Sequence, residues 1–166
     1  MRVAEKEDLP LLSKWDNNPE VTGIHLSPLQ RSRTEIERWT ESSPFEHKLF
    51  IIEKKDGAKI GFISHFCMLH PMGKMLEMGY VLVPGERGKG YGTEAAKIMV
   101  DYLFLSKEMA CIQATTDIGN VASQKVLEKT GFQREGTMRR RFFIRGEWRD
   151  LVLFSILREE WKEPKY

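Results

Sequence analysis

The stretch GERGKGYGTEA, residues 85–95, places four glycines within eight positions and adds Arg87 and Lys89 between them. Glycine loses much conformational entropy on ordering, and it is typical of positions where the backbone turns sharply or approaches another group closely. The cluster lies between a strand-like run, Tyr80 to Val83, and a helix-like run, Thr93 to Leu105. Backbone N–H groups at such a helix start can hold a phosphate. A tight turn with a solvated basic flank would have the same composition, so both interpretations stay open on the glycines alone.

Two common phosphate-binding motifs match this stretch poorly. A P-loop requires Gly-Lys followed by Ser or Thr, but Gly90 follows Lys89. The Rossmann pattern can be placed on residues 90–95, and it then requires an acidic residue about 20 positions later, at the end of the second strand. Asp117 comes later than that, so the match is weak.

Composition predicts one ordinary domain over residues 1–166. The chain is 41% hydrophobic and 30% charged, and its formal net charge of +2 does not favour a nucleic-acid partner. No run approaches the roughly 18 apolar residues of a membrane span, and the start MRVAEKEDL lacks the apolar core of a signal peptide. Cys67 and Cys111 lie in apolar, strand-like segments, so we expect free thiols and a cytoplasmic protein.

Local signals in the first third predict a short strand and two helices. The strand covers residues 1–4, and Asp8 is a candidate N-cap for a helix that ends at Asn17-Asn18-Pro19. Ser32 and Glu35 have the spacing of a capping box at the start of the second helix.

The remainder predicts a mixed sheet. A helix after the glycines carries Ala95, Ile98, Met99, Tyr102 and Leu103 on one apolar face, and the last run, Leu151 to Leu157, is apolar on both faces and so should lie inside the sheet. The expected fold class is a mixed α/β sheet of about seven mostly antiparallel strands with about four helices. Its other elements are strands at 49–53, 60–66, 76–83 and 110–115, a helix at 120–129 that ends at Gly131, and a hairpin from Phe132 that turns at Arg145-Gly146.

Several motifs in order resemble the GCN5-related N-acetyltransferase (GNAT) superfamily. Residues 87–92 resemble its (Gln/Arg)-x-x-Gly-x-(Gly/Ala) signature, and Val81-Leu82-Val83-Pro84 has its strand-then-proline form. Residues 120–123 and 127–132 resemble its second cofactor-binding element. The end of the chain, from Glu135-Gly136 to Trp161, is similar to the closing hairpin of the RimJ/RimL-type, ribosomal-protein-alanine branch. The resemblance covers essentially the whole chain.

The resemblance implies an enzyme that transfers an acetyl group from acetyl-CoA directly to a primary amine, with no metal. The glycine loop would bind the pyrophosphate, and the pantetheine would pair with strand backbone, with the Val81 N–H facing the thioester oxygen. The cofactor-binding residues are then Tyr80, Val81, Val83, Arg87, Gly88, Lys89, Gly90, Tyr91, Gly92, Thr93 and Asn120.

Two residues are implied as catalytic. Glu77 would be the general base, directly or through water; it lies four residues before Val81, so both side chains share a face of an undistorted strand. A bulge, which the family has, would shift that count by one, and a surface glutamate is the alternative. Ser123 would share a proton with the departing thiolate, although hydrogen bonding at a helix start would also account for it. Asn120 is a good N-cap on sequence grounds and, by resemblance, a ligand of the pantetheine amide.

The acceptor is open at this point. Many superfamily members carry a tyrosine four residues before the Gly-Phe pair, and this chain has Leu127 there, which weakens a polyamine interpretation. By resemblance, selectivity would come from Val21 to Arg33, which includes His25, and from Met138 to Glu147. A protein N-terminus or a small-molecule amine is the expected acceptor. The alternatives are a non-catalytic acyl-CoA-binding module and, less favoured, a polyamine or antibiotic acetyltransferase. The protein would be a monomer or homodimer without nucleic-acid or membrane partners.

Cys67 and Cys111 are poor candidates for acyl-carrying nucleophiles. Neither has a recognisable His–Asp partner set, and apolar neighbours raise the pKa of a thiol. Cys67, His65 and His70 are too few and wrongly spaced for a zinc site.

Overall fold

The computed structural model describes residues 1–27, 30–41, 47–71 and 73–164, and the side chains of all of these except 39–41 and 68–70. In these ranges it contains seven strands and five α-helices. The strands are β1 (Arg2–Val3), β2 (His47–Glu53), β3 (Lys59–His70), β4 (Gly73–Leu82), β5 (Cys111–Asp117), β6 (Gln133–Ile144) and β7 (Glu147–Leu157). The helices are α1 (Leu9–Asp16), α2 (Pro19–Thr22), α3 (Arg33–Glu41), α4 (Tyr91–Ser106) and α5 (Val121–Lys129).

The strands form one sheet in the order β1-β2-β3-β4-β5-β7-β6. Every neighbouring pair is antiparallel except β4 and β5, which run parallel. The predicted mixed sheet of seven strands is therefore confirmed, and β7 lies inside the sheet as its apolar run indicated.

The helix that the sequence did not predict is α2. Its first turn is capped by Asn18, whose side-chain oxygen accepts from the Glu20 N–H at 2.9 Å.

Alternation along the strands divides the core between the two faces of the sheet. Leu76 and Met78 of β4 are buried in the larger core, against α4 and α5, whereas Val81 packs at the edge of the smaller core, against α1 and α3. Odd-numbered side chains of β4 therefore point to the α1–α3 face. Residues 61–70 and 73–82 of β3 and β4 pair without any shift of register, so the bulge expected in β4 is absent from this pairing.

Two local predictions have clear outcomes. The capping box is confirmed, because the Ser32 N–H donates to Glu35 at 2.7 Å and the Glu35 N–H donates back to the Ser32 hydroxyl at 3.3 Å. The expected buried face of α4 is wrong at Ile98, which is 41% exposed. The buried stripe of α4 is instead rotated toward Ala96 and Val100. The sequence also places Trp39 at helical period after Ile36 and a turn at Pro71-Met72-Gly73, but the Trp39 side chain and Met72 lie outside the described residues.

Asp8 occupies the N-cap position of α1 without making the expected cap bond. Its buried carboxylate instead accepts from the Arg2 guanidinium at 2.7 Å and from the Lys59 ammonium at 2.7 Å. The hydrogen bond from Arg2 holds the pKa of Asp8 well below its usual range. Long-range cations replace the local cap, and they tie β1 and β3 to the start of α1.

Candidate active site

The sheet opens between β4 and β5. The two strands pair at only two positions, Leu76 with Ile112 and Glu77 with Gln113. Beyond them, β4 continues to pair with β3, and β5 continues to pair with β7. The result is a gap in the middle of the sheet that widens toward the glycine loop.

The backbone of β4 presents alternate residues to this gap. The Val83 N–H donates to the Ile60 carbonyl of β3 at 2.9 Å, and the Val83 carbonyl accepts from the Glu86 N–H at 3.0 Å. Since hydrogen-bonded pairs alternate along an antiparallel ladder, the backbone groups of Val81 also face β3, and those of Tyr80 and Leu82 face the gap. In this register the Val81 and Val83 N–H groups face β3, and the backbone groups that face the gap are those of Tyr80 and Leu82.

The glycine loop carries a row of N–H groups without acceptors. From Gly88 to Thr93, no backbone N–H has a hydrogen-bond partner among the described residues. α4 starts at Tyr91 with Gly90 at its N-cap position, and no side chain caps it. Such a run of N–H groups at a helix start is a ready anion site. Gly88, Lys89, Gly90, Tyr91, Gly92 and Thr93 thus lie where a phosphate-binding loop requires them.

Gly88 and Gly90 are required by their conformations. Their φ angles are +75° and +92°, in the left-handed region that side chains rarely adopt. A Cβ built on either residue meets nothing within 4 Å, so the loop presents bare backbone to open space. The Lys89 ammonium pairs with Glu86 at 3.2 Å on the same loop.

The Arg87 side chain is held by backbone carbonyls. Its Nε donates to the Leu82 carbonyl at 3.0 Å, and its Nη2 donates to the Val21 carbonyl at 2.5 Å. Its own N–H donates to the Pro84 carbonyl at 3.2 Å. The guanidinium thus joins the end of β4 to α2 in this structure, and it does not point its charge along the row of loop N–H groups.

The start of α5 lies across the gap. The Asn120 side-chain oxygen accepts from the Ser123 N–H at 3.1 Å, which confirms it as the N-cap. Its amide nitrogen has no partner among the described residues, so capping and ligand binding do not compete for the same atom. The Ser123 hydroxyl lies 3.0 Å from the Tyr80 hydroxyl. Burial raises the pKa of Tyr80 to about 12, although the Ser123 hydrogen bond opposes the shift.

Glu77 stands at the point where the two strands separate. One carboxylate oxygen accepts from the Thr115 hydroxyl at 2.7 Å, and the other accepts from the Gln113 amide at 3.0 Å. These partners fix the orientation of the carboxylate on the α1–α3 face, and each oxygen keeps a further lone pair for an acceptor amine. Glu77 is therefore a positioned and half-buried carboxylate, not a surface one.

Sequence reasoning missed the partners on β5. Gln113, Thr115 and Asp117 point to the same face as Glu77, while Ile112 and Ala114 between them are buried in the larger core. The alternation of apolar and polar residues over positions 112–115 was a readable signal. The hydroxyl of Tyr80 was also missed, because only its backbone was considered.

Other site types find no support among the described residues. No group of three potential metal ligands occurs in that part of the chain, and burial raises the pKa of the Cys111 thiol, which disfavours a thiolate nucleophile. No helix in the described ranges is long and apolar enough to cross a membrane.

Comparison with known proteins settles the family. The model of the acetyltransferase (GNAT) domain matches residues 1–133. The chain belongs to this family. The probable N-acetyltransferase YjcK of Bacillus subtilis is 35% identical over 77% of this chain and 71% of its own length. The putative ribosomal N-acetyltransferase YdaF of the same organism is 33% identical over 66% of this chain and 60% of its own length.

Among solved structures, a spermidine N-acetyltransferase from Vibrio cholerae in complex with CoA and spermine has the same fold, with a TM-score of 0.84. The two sequences are 22% identical, and the match covers 96% of this chain and 95% of the Vibrio cholerae chain. With the named N-acetyltransferase relatives, these matches make this GNAT protein an acetyl-CoA-dependent N-acetyltransferase. The row of loop N–H groups and the open gap fit that cofactor.

We predict that valine at position 90 weakens CoA binding at least about tenfold, equivalent to ~1.4 kcal/mol. The added side chain would occupy the open space in front of the loop N–H groups. Calorimetric titration measures the affinity. Gly57→Val is a matched control, because Gly57 also has a positive φ, of +84°, and open surroundings, and it lies in the β2–β3 turn. Equal loss of affinity in both variants, or none in either, would contradict the assignment of the loop.

Proposed function

We propose that this GNAT protein transfers the acetyl group directly to the primary amine of a protein N-terminus or of a small molecule, within a ternary complex. The carrying observation is the gap between β4 and β5, which leads from the loop N–H groups at Gly88 to Thr93 to the carboxylate of Glu77. One channel thus joins a phosphate site to a proton acceptor. The membership of the RimJ/RimL-type branch, the cytoplasmic location and a monomeric or dimeric state remain predictions.

The cofactor-binding roles follow from the directions of the backbone. Tyr80 and Leu82 face the gap and can pair with an extended pantetheine as another strand would. The loop from Gly88 to Thr93 supplies N–H groups for the pyrophosphate, and Lys89 adds charge. The free amide nitrogen of Asn120 can donate to a pantetheine carbonyl.

Acetyl-CoA supplies the acyl group as a thioester, and the chain must handle the protons. Glu77 lies on the α1–α3 face at the inner end of the gap, so it can take a proton from the attacking amine, directly or through water. Ser123 and Tyr80 form a hydroxyl pair at the other side of the gap. A buried tyrosine alone is a poor acid, so the pair is better suited to sharing a proton with the departing thiolate.

The charge of the closing hairpin favours an acceptor that is not a polycation. Residues 138–150 contain five arginines and only two carboxylates, and the Arg145 guanidinium donates to the Gly23 carbonyl at 3.1 Å. The basic hairpin therefore lies against the segment expected to receive the acceptor, of which residues 28 and 29 lie outside the described part. The positive charge of the hairpin would repel spermidine, which is also cationic, and attract an acidic N-terminal peptide. Leu127, which replaces a tyrosine, is 1% exposed and supplies no hydroxyl.

We expect peptides with acidic residues after the α-amine to exceed spermidine by about tenfold or more in kcat/KM. A release assay for free CoA thiol, run on peptides, polyamines, aminoglycosides and amino acids, measures this. Added salt should lower the value for acidic peptides and raise it for spermidine. Faster turnover of spermidine, with the opposite response to salt, would contradict this acceptor class.

The same screen separates catalysis from the alternative function, an acyl-CoA-binding regulatory module. Such a module has no need of a carboxylate held by two partners in the gap. Tight CoA binding together with no thiol release on any amine would favour the regulatory module.

We predict that Glu77→Gln lowers kcat roughly 10²–10⁴-fold, the usual range for a positioned general base, with CoA affinity little changed. Glutamine keeps the length of the side chain and removes its basicity. Steady-state kinetics and CoA titration measure the two effects. Glu53→Gln is the control, since Glu53 lies at the end of β2 and pairs with Arg2. A loss below about threefold at Glu77 would contradict its role.

A further inference from the structure

His25 and Asp117 form a pair that the roles above do not use. The His25 Nδ1 lies 3.3 Å from the Asp117 carboxylate. His25 belongs to the loop after α2, and Asp117 ends β5. The His25 side chain is 27% exposed, but its Nδ1 is fully buried, so the exposure lies on the rest of the ring. Neither ring nitrogen has a hydrogen-bond partner among the described residues, so Nδ1 approaches Asp117 at ion-pair distance without a hydrogen bond.

Asp117 is built into the turn that leads to α5. Its side chain is 1% exposed, and one oxygen accepts from the Gly119 N–H at 2.6 Å. The other oxygen is buried without a hydrogen-bond partner. His25 is the only basic side chain at ion-pair distance from Asp117 in the described part of the chain.

The register places this pair beside the proposed reaction centre. Extending the pairing of Leu76 with Ile112 along both strands puts Asp117 level with Val81, in the unpaired part of the two strands. Asp117 also shares the α1–α3 face with Thr115, which holds Glu77. The acceptor amine approaches from this face if Glu77 receives its proton. His25 contacts Asp117 and is partly exposed, so it lies on the face of the sheet that carries Glu77.

An amine that arrives as an ammonium must lose two protons to become an amide. We propose that His25 is a second catalytic residue, which takes the first proton from the ammonium and releases it to solvent, and that Asp117 is its positioning residue. The inference rests on the proposed function. His25 accepts the proton on the nitrogen away from Asp117, and the carboxylate stabilises the imidazolium that forms.

The protons and bonds balance with this assignment. The first proton goes from the ammonium to His25 and then to water, which leaves the amine lone pair free. The N–C bond forms as the C–S bond breaks, Glu77 takes the second proton, and the sulfur gains one from the Ser123–Tyr80 pair. That pair recovers its proton from Glu77 through solvent, so the net release is one proton per turnover.

The test is chemical rescue of His25→Ala. We expect kcat of His25→Ala to fall about 10²-fold or more with CoA affinity unchanged. Added imidazole should raise the kcat of this variant at least about tenfold, and the effect should saturate with imidazole concentration. Imidazole should leave wild type and Glu77→Gln unchanged, because neither lacks this ring. Asp117→Asn should lower kcat in the same direction, since asparagine can still accept from Gly119 but carries no charge.

Asp56→Asn is the matched control, because Asp56 likewise accepts from the N–H two residues on, at 3.0 Å, in an exposed turn. Thermal unfolding shows whether each variant is folded. If Asp117→Asn does not fold, the His25→Ala variant alone tests the proposal, because His25 is partly exposed. Loss below threefold in His25→Ala, or a loss that imidazole does not restore, would overturn the role of His25 while leaving the acetyltransfer intact. Absence of wild-type turnover on every amine would overturn both.

Discussion

Backbone pairing controls everything else in this structure. A strand inside a sheet normally satisfies its N–H and C=O groups on both sides, because an unpaired buried group is costly. Here β3 and β4 pair along their described length, and so do β5 and β7, but β4 and β5 meet at only two positions. The sheet thus consists of two well-paired halves with the gap between them, which is the open seam, and the backbone N–H and C=O groups along it need a partner. An extended ligand with amide groups can supply it.

The ends of the seam are held by different interactions. At the inner end, Glu77 is fixed by Gln113 and Thr115 on the neighbouring strand. At the outer end, Arg87 joins the end of β4 to the carbonyls of α2. Because α2 precedes the loop that carries His25, the clasp formed by Arg87 couples the phosphate loop to the acceptor side. In the proposed ternary complex, the two substrates would meet on parts of the chain that Arg87 joins.

The sequence was most informative where local chemistry decides the structure. The capping box at Ser32, the N-cap at Asn120 and the turn at Arg145-Gly146 with positive φ at both residues depend on neighbours along the chain. Prediction failed where distant partners decide. Asp8 loses its cap role to Arg2 and Lys59, and the backbone directions of Val81 and Val83 follow from the register with β3. The His25–Asp117 contact joins residues far apart in sequence, so no local pattern could have indicated it.

The central claim is that the seam and the glycine loop together hold the cofactor, and amide hydrogen exchange tests it most directly. The N–H groups from Gly88 to Thr93, and those of Tyr80 and Leu82, have no partner in the described part of the chain and should exchange fast in the free protein. Saturating CoA should slow them by about tenfold or more, while the Val81 and Val83 N–H groups, already bonded to β3, should change little. Protection confined to other segments, or CoA binding that leaves these amides unchanged, would contradict the account.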